Sequence, residues 1–431
     1  MSHILKIAGR RTAVRHQLRL PGFWRFCGRQ GVRGAATTAT AAEQVAPEET
    51  VRPFQEIPGP KGLPFIGTAL DYSPFGRFPI HTQLGNSAIE RYKTHGKIYR
   101  EKLGPGREMV FVCDPKDIGT VFRSDGRLPE RPPVNSIATY RKMRKKPPGL
   151  GNLMGEDWHR VRSSVNKEMM RPKSVGAYAT MQDDVSREMA ELIQTVVRKG
   201  DSGGQVDNFM NLMHKWGLES LSLVILGKRM GCLTLDQLAE DSDAQRMISA
   251  VLEFFLYFGK LEMSLPFYRY FSTPAWKKFE TAMDTMNSLL SQKDMTLDEA
   301  VMMAIELLTG AFESTANTLA FNLYCLAKNP AAQQKLYEEI MNVVPPGQPI
   351  DDRVLNKMSY LRAVFKETSR LYPTIFFNAR TLTRDVVLSG YHVPAKIIQK
   401  FHVGWDGEDM KQIYKIFNTP DRDTFIFRER E

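Results

Sequence analysis

The chain has 431 residues, 42% of them hydrophobic and 25% charged. This suits one large domain or two ordinary ones with a sizeable core, and it excludes collagen, wholesale disorder and a disulfide scaffold. The net charge is +11, yet eight of those charges fall in residues 1–42, which contain no Asp or Glu, so the remainder carries only +3.

That first segment is rich in Arg, Ser, Thr and Ala and includes Ile4, Leu5, Leu18 and Leu20. It reads as a mitochondrial transit peptide, with a soft linker to about residue 50. A disordered basic arm is the alternative. Charge confined to an address label is weak grounds for a nucleic-acid partner, and none is expected. No run of 18 apolar residues occurs, so no spanning helix is expected.

A single domain is expected over 51–431. Pro58-Gly59-Pro60 begins a stiff hinge, because proline fixes φ and removes a donor. Glu108–Cys113 (EMVFVC) reads as a strand that stops at Asp114-Pro115. Ser186–Val197 and Met210–Ile225 show helical apolar spacing. Phe254–Phe258 reads as a core helix or as a lining of a lipophilic entrance. The longest helix opens with a capping box, Thr296 and Glu299, and is apolar from Val301 to Ala327. About 30 residues make it about 45 Å long, enough to cross a domain. Asn329-Pro330 starts the next helix, with proline at its first position.

Three short patterns carry polar chemistry. Trp158 and Arg162 stand at i and i+4, so they share a helix face. Glu313, Ser314 and Thr315 interrupt the apolar run of the long helix just after Gly310-Ala311. Glu367 and Arg370 stand at i and i+3, which alone describes a surface ion pair. Arg362 and Lys366 share a basic face of that same helix.

In this order, the hinge, WxxxR, the small-small-x-acid-hydroxyl stretch and ExxR resemble the cytochrome P-450 family, most closely its mitochondrial branch. The resemblance runs from about Phe54 to Pro394 and again from Lys396 to the C-terminus. It implies a mainly α fold with a smaller β region, a haem cofactor, and monooxygenation of a sterol-like or other lipophilic molecule. It implies that Trp158, Arg162 and Arg380 face the haem propionates. Glu313, Ser314 (where the family usually has Thr) and Thr315 match the residues that relay protons. Glu367 and Arg370 match a buried structural pair that bonds a second arginine from a later loop. Arg362 and Lys366 match the docking site for an acidic ferredoxin. Peripheral contact with the matrix side of the inner mitochondrial membrane is also implied.

One part of the pattern is missing. The family's FxxGxRxCxG loop, whose thiolate binds the haem iron, has no counterpart in the sequence, so no metal ligand is assigned. The chain passes from Gly390–Pro394 straight into Lys396–Phe401 (KIIQKF), which resembles the end of the helix that follows that loop. Asn418–Arg422 and Phe425–Phe427 resemble the family's last turn and strand. An internal deletion near Ala395 is therefore expected, and a second near Leu289–Ser291, where too few residues precede Thr296. The expected result is a chain with little or no activity. The rival readings are a non-catalytic isoform that binds ligand or ferredoxin, and a non-functional splice product.

Overall fold

The computed structural model describes residues 51–402 except 74, 105–107, 200–203, 265, 292–297, 345–346, 376 and 396, together with 412–414, 418–420 and 425–426. The expected presequence and Thr296 of the capping box lie outside the described residues.

Helix α1 (Ile80–His95) leads into a hairpin of β1 (Ile98–Lys102) and β2 (Glu108–Val112), paired from Ile98↔Val112 to Lys102↔Glu108. The hinge lies on β1, where the Arg100 N–H donates to the Pro58 carbonyl at 2.8 Å. A Cβ on Gly59 would stand 1.9 Å from the Arg100 carbonyl oxygen, so only glycine permits this approach. The expected strand stop is observed. Asp114 accepts from the Lys116 N–H at 2.8 Å, and Pro115 opens α2 (Pro115–Ser124).

Helices then dominate: α3 (Asn135–Met143), α4 (Gly155–Met169) and α5 (Pro172–Lys199). After the two-residue β3 (Gln205–Val206) come α6 (Phe209–Leu226), α7 (Asp243–Met263) and α8 (Pro274–Ser291). The long helix is α9 (Asp298–Lys328), at 31 residues about 46 Å. It is followed by α10 (Pro330–Val343, with Pro330 in its first turn), α11 (Asp352–Lys357) and α12 (Ser359–Leu371). The remaining strands are β4 (Phe377–Thr381), β5 (Val386–Leu388), β6 (Tyr391–Val393), β7 (Ile398–His402), β8 (Gln412–Tyr414), β9 (Asn418–Pro420) and β10 (Phe425–Ile426). Among the described residues no helix is long and apolar enough to cross a membrane.

The long helix is the axis of two cores. On one side Ala316, Ala320 and Leu323 pack with Phe209, Leu212 and Met213 of α6 and with Val185 and Met189 of α5. On the other, Phe312 joins Phe254 of α7 and Trp276, Phe279 and Met283 of α8. Phe254 is buried, and Phe255, Tyr257 and Phe258 pack partly buried against that cluster. The aromatic run is therefore core helix, as its helical spacing allows, because α8 covers the face that would otherwise line an entrance.

The main sheet has the order β1-β2-β7-β4. Strand β7 runs parallel to β2 (Met109↔Ile398) and antiparallel to β4 (Phe377↔His402). This corrects the reading of Lys396–Phe401 as a helix end. A short segment with two β-branched isoleucines gains ladder partners on both sides in the slot between β2 and β4, whereas a helix this short is marginal alone. The C-terminal reading fares better, since Phe425–Ile426 is a strand and pairs with Gln205–Val206. Residues 418–420 form a strand paired with β8, where a turn was expected.

Candidate functional site

The site is built where α4, β4 and the segment before α3 meet. Arg131 precedes Pro132-Pro133, which holds it in extended backbone. The Thr381 N–H donates to the Glu130 carbonyl at 3.0 Å and brings Arg131 beside β4, which carries Arg380. The Arg131 guanidinium then lies over the Trp158 ring, 5.2 Å from its centroid. Trp158 and Arg162, both half-buried, face this point together from one side of α4, as their spacing predicts.

Arg131 is the unusual member. Its Nε and Nη2 are buried and have no hydrogen-bond partner among the described residues. Burial pulls its basicity below the ordinary arginine value, and the positive charges of Arg380 and Arg162 add to that. Arg380 is better satisfied. It donates to the Asp125 carboxylate and, at 2.7 Å, to Asn378 Oδ1, and its guanidinium lies 5.1 Å from the Phe122 ring centroid. Deeper in, Arg141 is 3% exposed and pairs with Glu306 of α9 at 2.8 Å. Glu306 also accepts from the Gly151 N–H at 3.3 Å. A Cβ on Gly149 would fall 2.1 Å from Glu306 Oε1, so glycine admits the loop to this ion pair.

The structure thus brings Trp158, Arg162 and Arg380 together around Arg131. Arg131, Arg141 and Glu306 were missed by sequence reasoning. The one available signal was an arginine locked before a proline pair. The other two required knowing that the loop folds back on α9.

α9 continues without a break through the stretch after Gly310. Glu313 is 4% exposed and sits in the core, while Ser314 is half-buried. Adjacent helical residues diverge by about 100°, so acid and hydroxyl do not share a face. Ser314 Oγ donates back to the Gly310 and Ala311 carbonyls (3.1 and 3.2 Å), and Thr318 Oγ1 likewise to Ser314 (2.7 Å). Thr315 is half-buried. Gly310 is exposed, and a Cβ there would meet nothing within 4 Å.

The ExxR pair is a second correction. Arg370 holds Glu367 in a two-point pair, 2.9 and 2.8 Å, and its hydrogen bonds lower the Glu367 pKa below the usual carboxylate range. Their side chains are 62% and 58% exposed, so they are not the buried pair that the resemblance implied. On an exposed helix face the pair keeps its solvation, which burial would cost. Arg362 and Lys366 are exposed on the same helix. Arg362 also donates to the Asn356 carbonyl at 3.0 Å, at the end of α11.

Whether a haem fits can be judged from these residues. Its two carboxylates match the cradle, whose buried Arg131 nitrogens lack partners. Its iron has no matching donor among the described residues. Burial raises the Cys113 thiol to about 11 and also raises that of Cys325. Cys232 is packed in the α7–α8 core. His392 is engaged with Asp385 at 2.9 Å. No described cluster of His, Cys, Asp or Glu could hold a metal ion. The carboxylate end fits and the iron end does not.

Comparison with known proteins agrees with the geometry. The cytochrome P450 family model matches residues 57–293 and 281–412, two segments that overlap at 281–293. The chain is 32% identical over 385 residues to probable cytochrome P450 12a5, mitochondrial, of Drosophila melanogaster, covering 80% of this chain and 70% of that protein. It is 31% identical to probable cytochrome P450 CYP44 of Caenorhabditis elegans, covering 81% and 75%. It is 27% identical to the mitochondrial 1,25-dihydroxyvitamin D(3) 24-hydroxylase of Rattus norvegicus, covering 83% and 75%. With this match and a helical fold arranged around α9, the chain belongs to the cytochrome P450 family of haem monooxygenases, in the company of its mitochondrial members.

Proposed function

We propose that this chain derives from a mitochondrial, ferredoxin-dependent haem-thiolate monooxygenase of a sterol-like or other lipophilic molecule, and has little or no turnover of its own. One observation carries this: the carboxylate cradle is assembled, yet the sequence holds no FxxGxRxCxG loop to supply a thiolate to a group held there. In this family the thiolate ligand is what lets bound haem favour O–O cleavage, so no step is assigned to Glu313, Ser314 or Thr315 here. The domain spans 51–431 behind a leader, with junctions near 290 and 395. The division of the family match at 281–293 supports the first.

Supporting features are of three kinds. The acid-free leader and the relatives named mitochondrial favour the matrix side of the inner membrane. The exposed Arg362 and Lys366 favour an acidic ferredoxin, which such a patch would steer in a salt-dependent way. Phe267, Tyr270 and Phe271, exposed between α7 and α8, favour peripheral membrane contact. The name of the rat relative favours a sterol-like substrate class.

The test is the carbon-monoxide difference spectrum of the reduced, purified chain supplied with haem. No thiolate-type Soret band is expected, and its appearance would overturn the inactive reading. The exposed basic face of α12 favours a second reading, a non-catalytic ferredoxin-binding isoform. In that case Lys366→Glu should abolish ferredoxin binding that the parent shows. Absence of binding by the parent leaves the non-functional product. Transcript sequencing across Ala395 separates real splicing from an incomplete gene.

A further inference from the structure

The group implied by the family fits one end of the site and not the other, and this mismatch has a chemical consequence. The charged groups acting at the cradle are Arg131, Arg162 and Arg380, with Asp125 and the Arg141–Glu306 pair. Four guanidinium groups face two carboxylates, which leaves two positive charges uncompensated. The buried, partnerless nitrogens of Arg131 lie within that excess. Two uncompensated charges call for a dianion with two separate acceptors, since unpaired buried donors are costly.

One face of α9 runs past the cradle. Glu306, Gly310 and Ser314 follow one another at i, i+4 and i+8 on α9. Glu306 acts on Arg131, so the bare Gly310 begins one turn from the cradle. With Trp158 on the other side of Arg131, the setting suits a planar apolar ring bearing two carboxylates on one edge.

We propose that this chain binds planar tetrapyrrole dicarboxylates through the Arg131, Arg162 and Arg380 anchor independently of any metal at the ring centre. The inference rests on the reading that the ligand loop is absent, because a thiolate would make iron decisive. No bond to the metal forms, so free-base and iron-loaded rings are held by the same two charge-assisted contacts.

The test titrates the purified full chain with haemin, free-base protoporphyrin IX and its dimethyl ester. Binding is read by porphyrin fluorescence anisotropy and by quenching of tryptophan emission. Haemin and the free base should bind within about threefold of each other, and the uncharged diester at least about tenfold more weakly. Arg131→Met should weaken both diacids about tenfold and leave the diester unchanged. Arg162→Gln is the second variant, in case the first fails to fold as judged by circular dichroism. Equal binding of diacid and diester, or diacid binding insensitive to both variants, overturns the anchor. Haemin binding more than about tenfold tighter than the free base overturns metal independence. If a thiolate-type spectrum accompanies that preference, the inactive reading falls with it. Without such a spectrum, only the present inference falls.

Discussion

Two charged clusters of this protein met opposite fates. The cradle of Arg131, Arg162 and Arg380 is convergent and largely shielded, while the Glu367–Arg370 pair stands in solvent with both side chains more than half exposed. All the cradle's parts come from elements before Ala395, and backbone hydrogen bonds set its geometry, such as that from Thr381 to Glu130. The ExxR pair instead lies on the exposed face of a single helix. A charged cluster is shielded when several elements converge on it, and it stays in water when one helix face carries it.

The strongest way to break this comparison is Arg380→Ala. It strands the Asp125 carboxylate, 10% exposed, without its cation, and should cost about 3 kcal/mol in urea unfolding. A loss near zero would mean that the cradle is no better held than the surface pair.

A pH series sharpens it from the intact side. His214 of α6 stacks on Phe312 at 4.9 Å, and burial holds its pKa down at about 4, against 6.5 for a free histidine. The unfolded chain therefore takes up the proton first as pH falls. The contribution of neutral His214 is complete above about pH 6.5, declines below it and is gone by about pH 4, a total of roughly 3 kcal/mol. His214→Phe should flatten that part of the curve when urea midpoints are plotted against pH.

Arg131→Met separates binding from folding. Removing a half-buried charge, two of whose nitrogens lack hydrogen-bond partners, from beside two like charges should stabilise the ligand-free chain by about 1 kcal/mol in thermal unfolding, while lowering diacid affinity. Destabilisation would identify Arg131 as a structural residue. The smallest effect belongs to Glu367→Ala, which should cost under about 1 kcal/mol and less in high salt. A larger loss would show that the pair is buried in solution.

Periodicity alone located the helices. Met210–Ile225 falls within α6, Val301–Ala327 within α9, and Asp114-Pro115 ends a strand where it was expected to. Trp158 and Arg162 share a face for the same reason, since i and i+4 coincide on any helix. Arg380 became a candidate only through family resemblance, and Arg131 had no such support. Its role depends on Glu130 meeting Thr381 across 251 residues of sequence, which no local pattern encodes.

What the sequence determined by itself was local: helix faces, the strand stop, the lack of an FxxGxRxCxG loop and the basic, acid-free residues 1–42. These follow from short-range spacing and residue chemistry. What only the tertiary structure decided was environment. It made Ile398–His402 a strand, because a slot between β2 and β4 offered ladder partners. It placed Glu313 in the core and left Ser314 half-buried, and it left Glu367 and Arg370 in water. Burial and pairing are properties of neighbours distant in the chain.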